Sequence, residues 1–371
     1  MIISIGILAW NEEEVIESTL RSLFEQSLIR ELHAVTGRLE VVVVPNGCSD
    51  KTEQFASRAL AAGAASLPTD RFVWHVHALS EPGKANAWNH FIHRFSDPAA
   101  DYIFLMDADI SFTHPDTLKN MLLALERNIH AEIATDIPQK HVLFKTHKTI
   151  FDRISLAIGR MTQAAPAQLT GQLYCSRSHA LRRIHMPPGL MTEDGYIKFM
   201  VCTGMLRHPV DSQRIIRAPD ASHVFESYTR IKDIFFNQRR QQIAHSIYVF
   251  LREYLSSRVG ERDAGEIVRD NNMLDPDWYR KLIRQRVAEG DWWVIYPGAL
   301  TARFKRLANL SPARAFLGLP VALIGFLMDA VVLIAANRKL KSGSLVGIWK
   351  DTKTTRLDGV TPGPDSGALP R

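Results

Sequence analysis

Asp107 and Asp109 stand one residue apart at the end of the apolar run "YIFLM" (102–106). In an extended strand, residues i and i+2 point to the same side, so two carboxylates share a face where a buried run has just ended. Like charges this close repel unless a cation sits beside them. A hard divalent ion, Mg2+ or Mn2+, takes oxygen ligands and completes its shell with substrate phosphates and water. The pair therefore reads as an anchor for a metal-bound diphosphate. A solvated turn is the alternative for a lone Asp-x-Asp, and the strand in front of this one favours the cation.

Other polar groups fit a nucleotide beside that ion. Trp10 offers a flat face for a base, Asn11 and Glu13 offer polar contacts, and the Asn46 amide can meet a base edge. Lys84 follows a glycine at an expected helix start, where backbone N–H groups and an ammonium both favour phosphate. Each has a plainer reading: Trp10 as core filler, Asn46-Gly47 as a turn, Lys84 as a surface charge. Their joint placement is what argues for a site.

That placement comes from the elements between them. Short apolar runs ("IISIGIL", "LEVVVV", "FVWHVHAL", "YIFLM") alternate with helical stretches ("EEEVIESTLRSLFEQSL", "KTEQFASRALAAG", "GKANAWNHFIHRF"). Runs apolar on both faces belong in a covered parallel sheet, so the order predicts a doubly wound, Rossmann-like α/β domain. Ligands of such sheets bind beyond the carboxyl ends of the strands. "AWNEE", "PNGCSD", "SEPGK" and "DAD" follow the four runs in turn, so four polar strand ends should converge on one crevice.

From about residue 226 the pattern becomes helical, with Ile231, Ile234, Phe235, Ile247, Phe250 and Leu251 at roughly helical spacing. Residues 316–336 follow, with one charge, Asp329, and one Pro320. A spanning helix needs about 20 apolar residues, so this segment is long enough to cross a bilayer and interrupted enough to lie in the interface. A buried core helix is the alternative. Arg303, Lys305, Arg306 and Arg314 precede it and Arg338, Lys339 and Lys341 follow, so flanking charge sets no orientation. The expected divisions are 1–225 (sheet domain), 226–315 (helical extension), 316–340 (hydrophobic segment) and 341–371, a Pro/Gly-rich tail expected to be disordered.

Composition narrows the classes. The 371 residues carry 46% hydrophobic and 23% charged side chains, an ordinary globular balance, and the net charge of +6 suits anionic partners. No long basic run argues for nucleic acid. Cys48, Cys175 and Cys202 are odd in number and widely spaced, so neither a disulfide framework nor a zinc site is expected, and a reducing compartment is. "MIISIGILAW" lacks a basic n-region and reads as a first strand, not a signal peptide. No period of 20 to 50 residues recurs, which excludes a repeat architecture.

Taken together, "ILAWNEEEVIESTLRSL", "VVVVPNGCSDKT", "GKANAWN", "FLMDADISF", "LTGQLYCSRSHAL" and "LMTEDGYIKFM" resemble, in order over residues 2 to 200, the inverting glycosyltransferases of family 2. The resemblance implies the GT-A fold, a mostly parallel sheet with flanking helices, here with the helical extension and its membrane-associated segment. It also implies roles. Asp109 would bind the metal, and Asp107 the metal or the donor ribose. Trp10, Asn11, Glu13 and Asn46 would line the base and ribose pocket with Lys84 nearby. Asp194 would be the general base and Glu193 its assistant. Arg240, in "FNQRRQQ", would face the diphosphate with Arg239, and His223 would approach the metal.

Two positions depart from the family pattern. Pro45-Asn46 stands where the family has Asp-Asp, and Gln241 stands where processive polysaccharide synthases have a tryptophan, which argues against a long-chain polymerase. The expected function is metal-dependent transfer of one sugar from a nucleotide-diphosphate donor to a lipid-linked or cell-surface glycan, at the cytoplasmic face of the cell membrane. A sugar-nucleotide nucleotidyltransferase is discounted because no glycine-rich, arginine-containing loop follows the first strand. A non-catalytic nucleotide-sugar-binding subunit of an envelope-glycan assembly complex is the third reading, and intact Asp107, Asp109 and Asp194 count against it.

Overall fold

The computed structural model describes residues 1–32, 37–148, 169–227, 231–296, 298–301 and 312–343. The tail from residue 344 and the basic residues Arg303, Lys305 and Arg306 lie outside this description.

The first half follows the expected alternation: β1 (Ile2–Ala9), α1 (Ile16–Phe24), a short α2 (Ser27–Arg30), β2 (Arg38–Pro45), α3 (Thr52–Ala64), β3 (Phe72–Val76), α4 (Lys84–His90) and β4 (Tyr102–Asp107). The single helix expected over the first helical stretch is two, broken at Glu25 and Gln26. The second half holds β5 (Ser111–Phe112), α5 (Thr117–Arg127), β6 (Ile133–Lys140), β7 (Leu173–Arg177), α6 (Ser178–Arg182), α7 (Glu193–Cys202) and β8 (Ile215–Phe225). Among the described residues, α8 (Ile231–Ser256), α9 (Ala264–Leu274), α10 (Trp278–Glu289) and α11 (Pro312–Lys341) follow.

All eight strands join one sheet in the order β3-β2-β1-β4-β7-β6-β8-β5. The first four run parallel, β7 is antiparallel to both β4 and β6, and β5 is antiparallel to β8. The sheet is thus mixed. The chain reverses its direction of travel at β1, since β2 and β3 lie on one side of it and β4 on the other, and this switch point is where an open α/β sheet leaves its crevice. Register brings the polar ends to one level: Leu8 pairs with Asp107, Ala9 with Pro45, and Asn46 bridges to Leu79.

The alternation along each strand explains why both faces are covered. Ile3, Ile5, Ile7, Val41, Val43, Phe104 and Met106 pack with α1, α3 and α5 on one face. Val42, Val44, Ile103 and Leu105 pack on the other with Trp88 and Phe91 and with Tyr196, Ile197 and Met200 of α7. Ile243, Ile247, Leu251 and Leu255 of α8 and Leu333, Ala336 and Leu340 of α11 continue that second cluster. The helical extension therefore shares its core with the sheet. Among the described residues, no helix is long and apolar enough to cross a membrane.

Candidate active site

The site grows from the loops that end β1 and β2. Asn11 has φ 57°, a left-handed conformation that asparagine tolerates better than most residues. Its Oδ1 accepts the Ser49 backbone N–H at 2.8 Å, and its own N–H points to Cys48 Sγ at 3.3 Å. Glu13 Oε2 accepts the Lys51 backbone N–H at 3.1 Å, and the Glu13 N–H donates to Asp50. Asn11 and Glu13 thus tie the β1 loop to the start of α3, where a carboxylate suits the helix N-terminus. Trp10, half-buried, leads into this turn.

Asn46 differs most from its sequence reading. It is buried at 4% exposure; its Nδ2 donates to the Ala9 carbonyl at 2.7 Å, and its Oδ1 accepts the Gly83 N–H at 3.0 Å. A buried amide satisfies its hydrogen-bonding groups internally, and here the backbone engages both ends. Asn46 thereby fixes the start of α4, from which Lys84 projects.

Lys84 likewise has other partners than the expected phosphate. Its Nζ lies 2.7 Å from Asp107 Oδ1, 2.8 Å from Glu193 Oε1 and 3.2 Å from the Gly171 carbonyl. An ammonium has three donors, and these three acceptors match them. Lys84 therefore bridges the aspartate at the end of β4 to the glutamate that opens α7. Burial pulls its pKa down, and the charges of Asp107 and Glu193 outweigh that pull, so it lies above the ordinary lysine range.

The carboxylates around this lysine carry strained electrostatics. Burial raises the Asp107 pKa to about 6, with Lys84 opposing and Asp109 adding to the rise. Glu12, absent from the sequence reading, is raised to about 9 by burial first and then by Asp109, Asp107 and Asp50. The signal for Glu12 was present in "NEEE", but the left-handed turn at Asn11 decides which glutamate meets the aspartates. Two carboxyls with raised pKa values, set beside Asp109, fit a hard dication, which would let both ionise. Among the described residues, no group of three His, Cys, Asp or Glu is disposed to hold a metal ion unaided.

Asp194 lies in the first turn of α7 beside Glu193, half-buried, with its Oδ1 accepting the Gly195 N–H at 2.7 Å. Burial, then Glu193, raises its pKa; the Gly195 N–H and Lys84 oppose the rise. A raised pKa makes it a stronger proton acceptor than an ordinary carboxylate. Glu193, at 8% exposure, holds Lys84 and shapes the site from behind.

Two expected residues lie apart from this network. His223 is fully buried in β8, with its Nδ1 2.6 Å from Asp136 Oδ2, and pairs across the sheet with Phe112. Its burial with a carboxylate partner on Nδ1 is an arrangement common to core histidines, and its Nε2 is buried without a hydrogen-bond partner. Arg240 sits on α8 with its guanidinium donating to Asn237 at 3.2 Å, and Arg239 lies over the Phe236 ring.

Gly171 lines the Lys84 bridge closely. A Cβ there would stand 2.9 Å from Glu193 Oε1 and 3.4 Å from Lys84 Nζ. Gly171→Ala is expected to push the Glu193 carboxylate aside while leaving Lys84 in ordinary contact, and to lower kcat/KM by up to about 100-fold, since misplacement near 1 Å costs that much. The melting temperature should fall modestly, because the Lys84–Glu193 pair is disturbed while Lys84 keeps Asp107 and the Gly171 carbonyl. Steady-state kinetics with a thermal melt checks both halves.

A parallel half-sheet with Asp-x-Asp beyond its switch point, faced by Glu-Asp at the start of a helix, places this molecule among the GT-A glycosyltransferases. Residues 4–183, just under half of the chain, match Glycosyl transferase family 2, and the protein is a glycosyltransferase. Among solved structures, it is similar to the mannosyltransferase PcManGT of Pyrobaculum calidifontis, in complex with GDP-Man and Mn2+. That match has 20% identity and a TM-score of 0.50 over 91% of this chain and 86% of that one. It is also similar to glucosyl-3-phosphoglycerate synthase of Mycobacterium tuberculosis, in complex with Mn2+, UDP and phosphoglyceric acid. The identity there is 17% and the TM-score 0.43, over 66% of this chain and 76% of that one. No curated protein sequence matches the chain.

Proposed function

We propose that the protein transfers a single sugar, with inversion, from a nucleotide-diphosphate donor to a hydroxyl of a lipid-linked or cell-surface glycan acceptor at the inner face of the cell membrane. The observation that carries this reading is the Lys84 bridge, which ties Asp107 at the end of β4 to Glu193 in the first turn of α7, next in sequence to the raised-pKa Asp194. Asp109 and Asp107, with Glu12 beside them, would hold Mg2+ or Mn2+. When bound, the ion neutralises charge building on the departing diphosphate.

The protein's own groups supply the rest. Asp194 takes the proton of the acceptor hydroxyl while its oxygen attacks the anomeric carbon, and the bond from that carbon to the diphosphate oxygen breaks. One displacement from the face opposite the leaving group inverts the centre. Trp10 is the surface on which the donor base would rest. Gln241 in place of a tryptophan favours one transfer over processive synthesis. The outward apolar residues of α11 support work at a membrane.

A thermal-shift panel of nucleoside diphosphates, with and without Mn2+, tests this and names the base, since a ligand stabilises the fold by its affinity. The shift should depend on pH with a defined sign. Asp107 and Glu12 have folded-state pKa values raised to about 6 and about 9. Without metal, the native state holds protons that the unfolded chain releases, so these groups favour folding at low pH, and that contribution is lost as pH rises through this window. Metal binding needs both groups ionised. The stabilisation by Mn2+ and diphosphate should therefore grow from about pH 5.5 to about pH 8.5. A shift that is absent for every nucleotide, or independent of metal, would refute the reading.

A further inference from the structure

We propose that the outward face of α11 docks along the surface of a membrane containing anionic lipids, with the helix lying in the interface and not crossing it. This rests on the reading that the enzyme works at a membrane, and it names the surface and the lipid charge.

The helix has two faces. Val332, Leu333, Ala336 and Leu340 are buried, and Asn337 fastens the same turns inward by accepting the Val294 N–H at 2.8 Å and donating to the Trp292 carbonyl at 2.9 Å. Facing away are Leu323, Leu327, Met328, Val331 and Ile334, exposed by 46% to 66%. At about 100° per residue these five fall within an arc of about 140°, and Asp329 falls outside it. Arg338 and Lys341, both exposed, continue the same arc past the last apolar residue. An amphipathic face of leucines with cations at its border is the pattern of a helix resting at the headgroup boundary.

The end of the stripe adds an aromatic. Trp292 is 78% exposed and lines a cavity of about 550 Å³ with Trp293, Ile334, Arg338 and Lys341. Tryptophan settles at the level of the headgroups, and basic side chains beside it meet anionic phosphates. The sequence before α11 adds Arg303, Lys305 and Arg306, and the net charge is +6. The charge complementarity selects an anionic lipid surface over a second copy of this chain, which would bring cations against cations.

Flotation of the full chain with vesicles of phosphatidylcholine alone, and with about one third phosphatidylglycerol, tests the surface. Binding should be at least tenfold stronger to the anionic vesicles, fall in high salt, and be removed by alkaline carbonate. Leu327→Glu with Val331→Glu should abolish it with melting temperature and nucleotide binding retained, since both side chains point outward. Four outcomes overturn the proposal: no binding to either vesicle, binding insensitive to the double change, resistance to carbonate, or a dimer that the double change dissociates without any vesicle binding. Glycosylation of water-soluble acceptors only, with α11-dependent vesicle binding intact, would remove the membrane-acceptor reading and leave the docking face standing.

Discussion

Asp194→Asn is expected to lower kcat by about 100- to 10,000-fold while leaving the affinity for a metal-bound nucleoside diphosphate nearly unchanged. Asparagine preserves the shape of the side chain and can still accept the Gly195 N–H, so α7 should start where it does now. What it cannot do is take a proton. In the wild type the rate should rise with pH as Asp194 ionises, and because burial and Glu193 raise its pKa, that limb should lie above the ordinary aspartate range. The variant should lack the limb altogether. Single-turnover rates across pH, with nucleotide binding followed by thermal shift, separate the two effects. Retained turnover would sink the assignment of Asp194 as base.

Lys84→Met should destabilise the metal-free protein by about 3–5 kcal/mol at neutral pH, the usual cost of leaving buried charges without their partner. The change strands Asp107 and Glu193, now 2.7 and 2.8 Å from the ammonium, beside Asp109 and Glu12. Asp107, without the ammonium that opposes the rise, would then hold its proton to higher pH than it does at present. The loss should consequently be smallest in acid and should grow as pH rises through about 6. Adding Glu193→Gln should recover part of the stability, and the two changes should be strongly non-additive, because they act on one network. Denaturant melts at two pH values test this; unchanged stability in Lys84→Met would mean that the bridge is not formed in solution.

The double prediction shows where the sequence was informative and where it was not. Asp107, Asp109, Glu193 and Asp194 were all identifiable, because a strand that ends in carboxylates and a helix that starts with them are local patterns. The fate of Lys84 was not, since its acceptors come from β4, from the Gly171 segment and from α7, up to 109 positions along the chain, as the numbers 84 and 193 give. The helix start at Lys84 is a local pattern, whereas the two carboxylates that hold its ammonium come from distant elements. Glu12 was passed over for Glu13 for a related reason. Strand parity fails at a left-handed residue, and Asn11 at φ 57° is where it fails.

By itself the sequence determined the parallel half-sheet, the order of its polar ends, the helical extension and the family, because each depends on apolar periodicity or on motifs read within a few residues of one another. Only the tertiary structure decided what the polar groups do. Asn46 clamps Ala9 to Gly83, each 37 residues away in sequence. The apolar segment 316–336 could have crossed a bilayer, lain on it or filled a core, and its α11 buries one face against the helical extension while leaving the other outward. In both cases the deciding quantity is the partner. A hydrogen bond or a buried face is fixed by what stands opposite it, and that is set by packing across the whole chain.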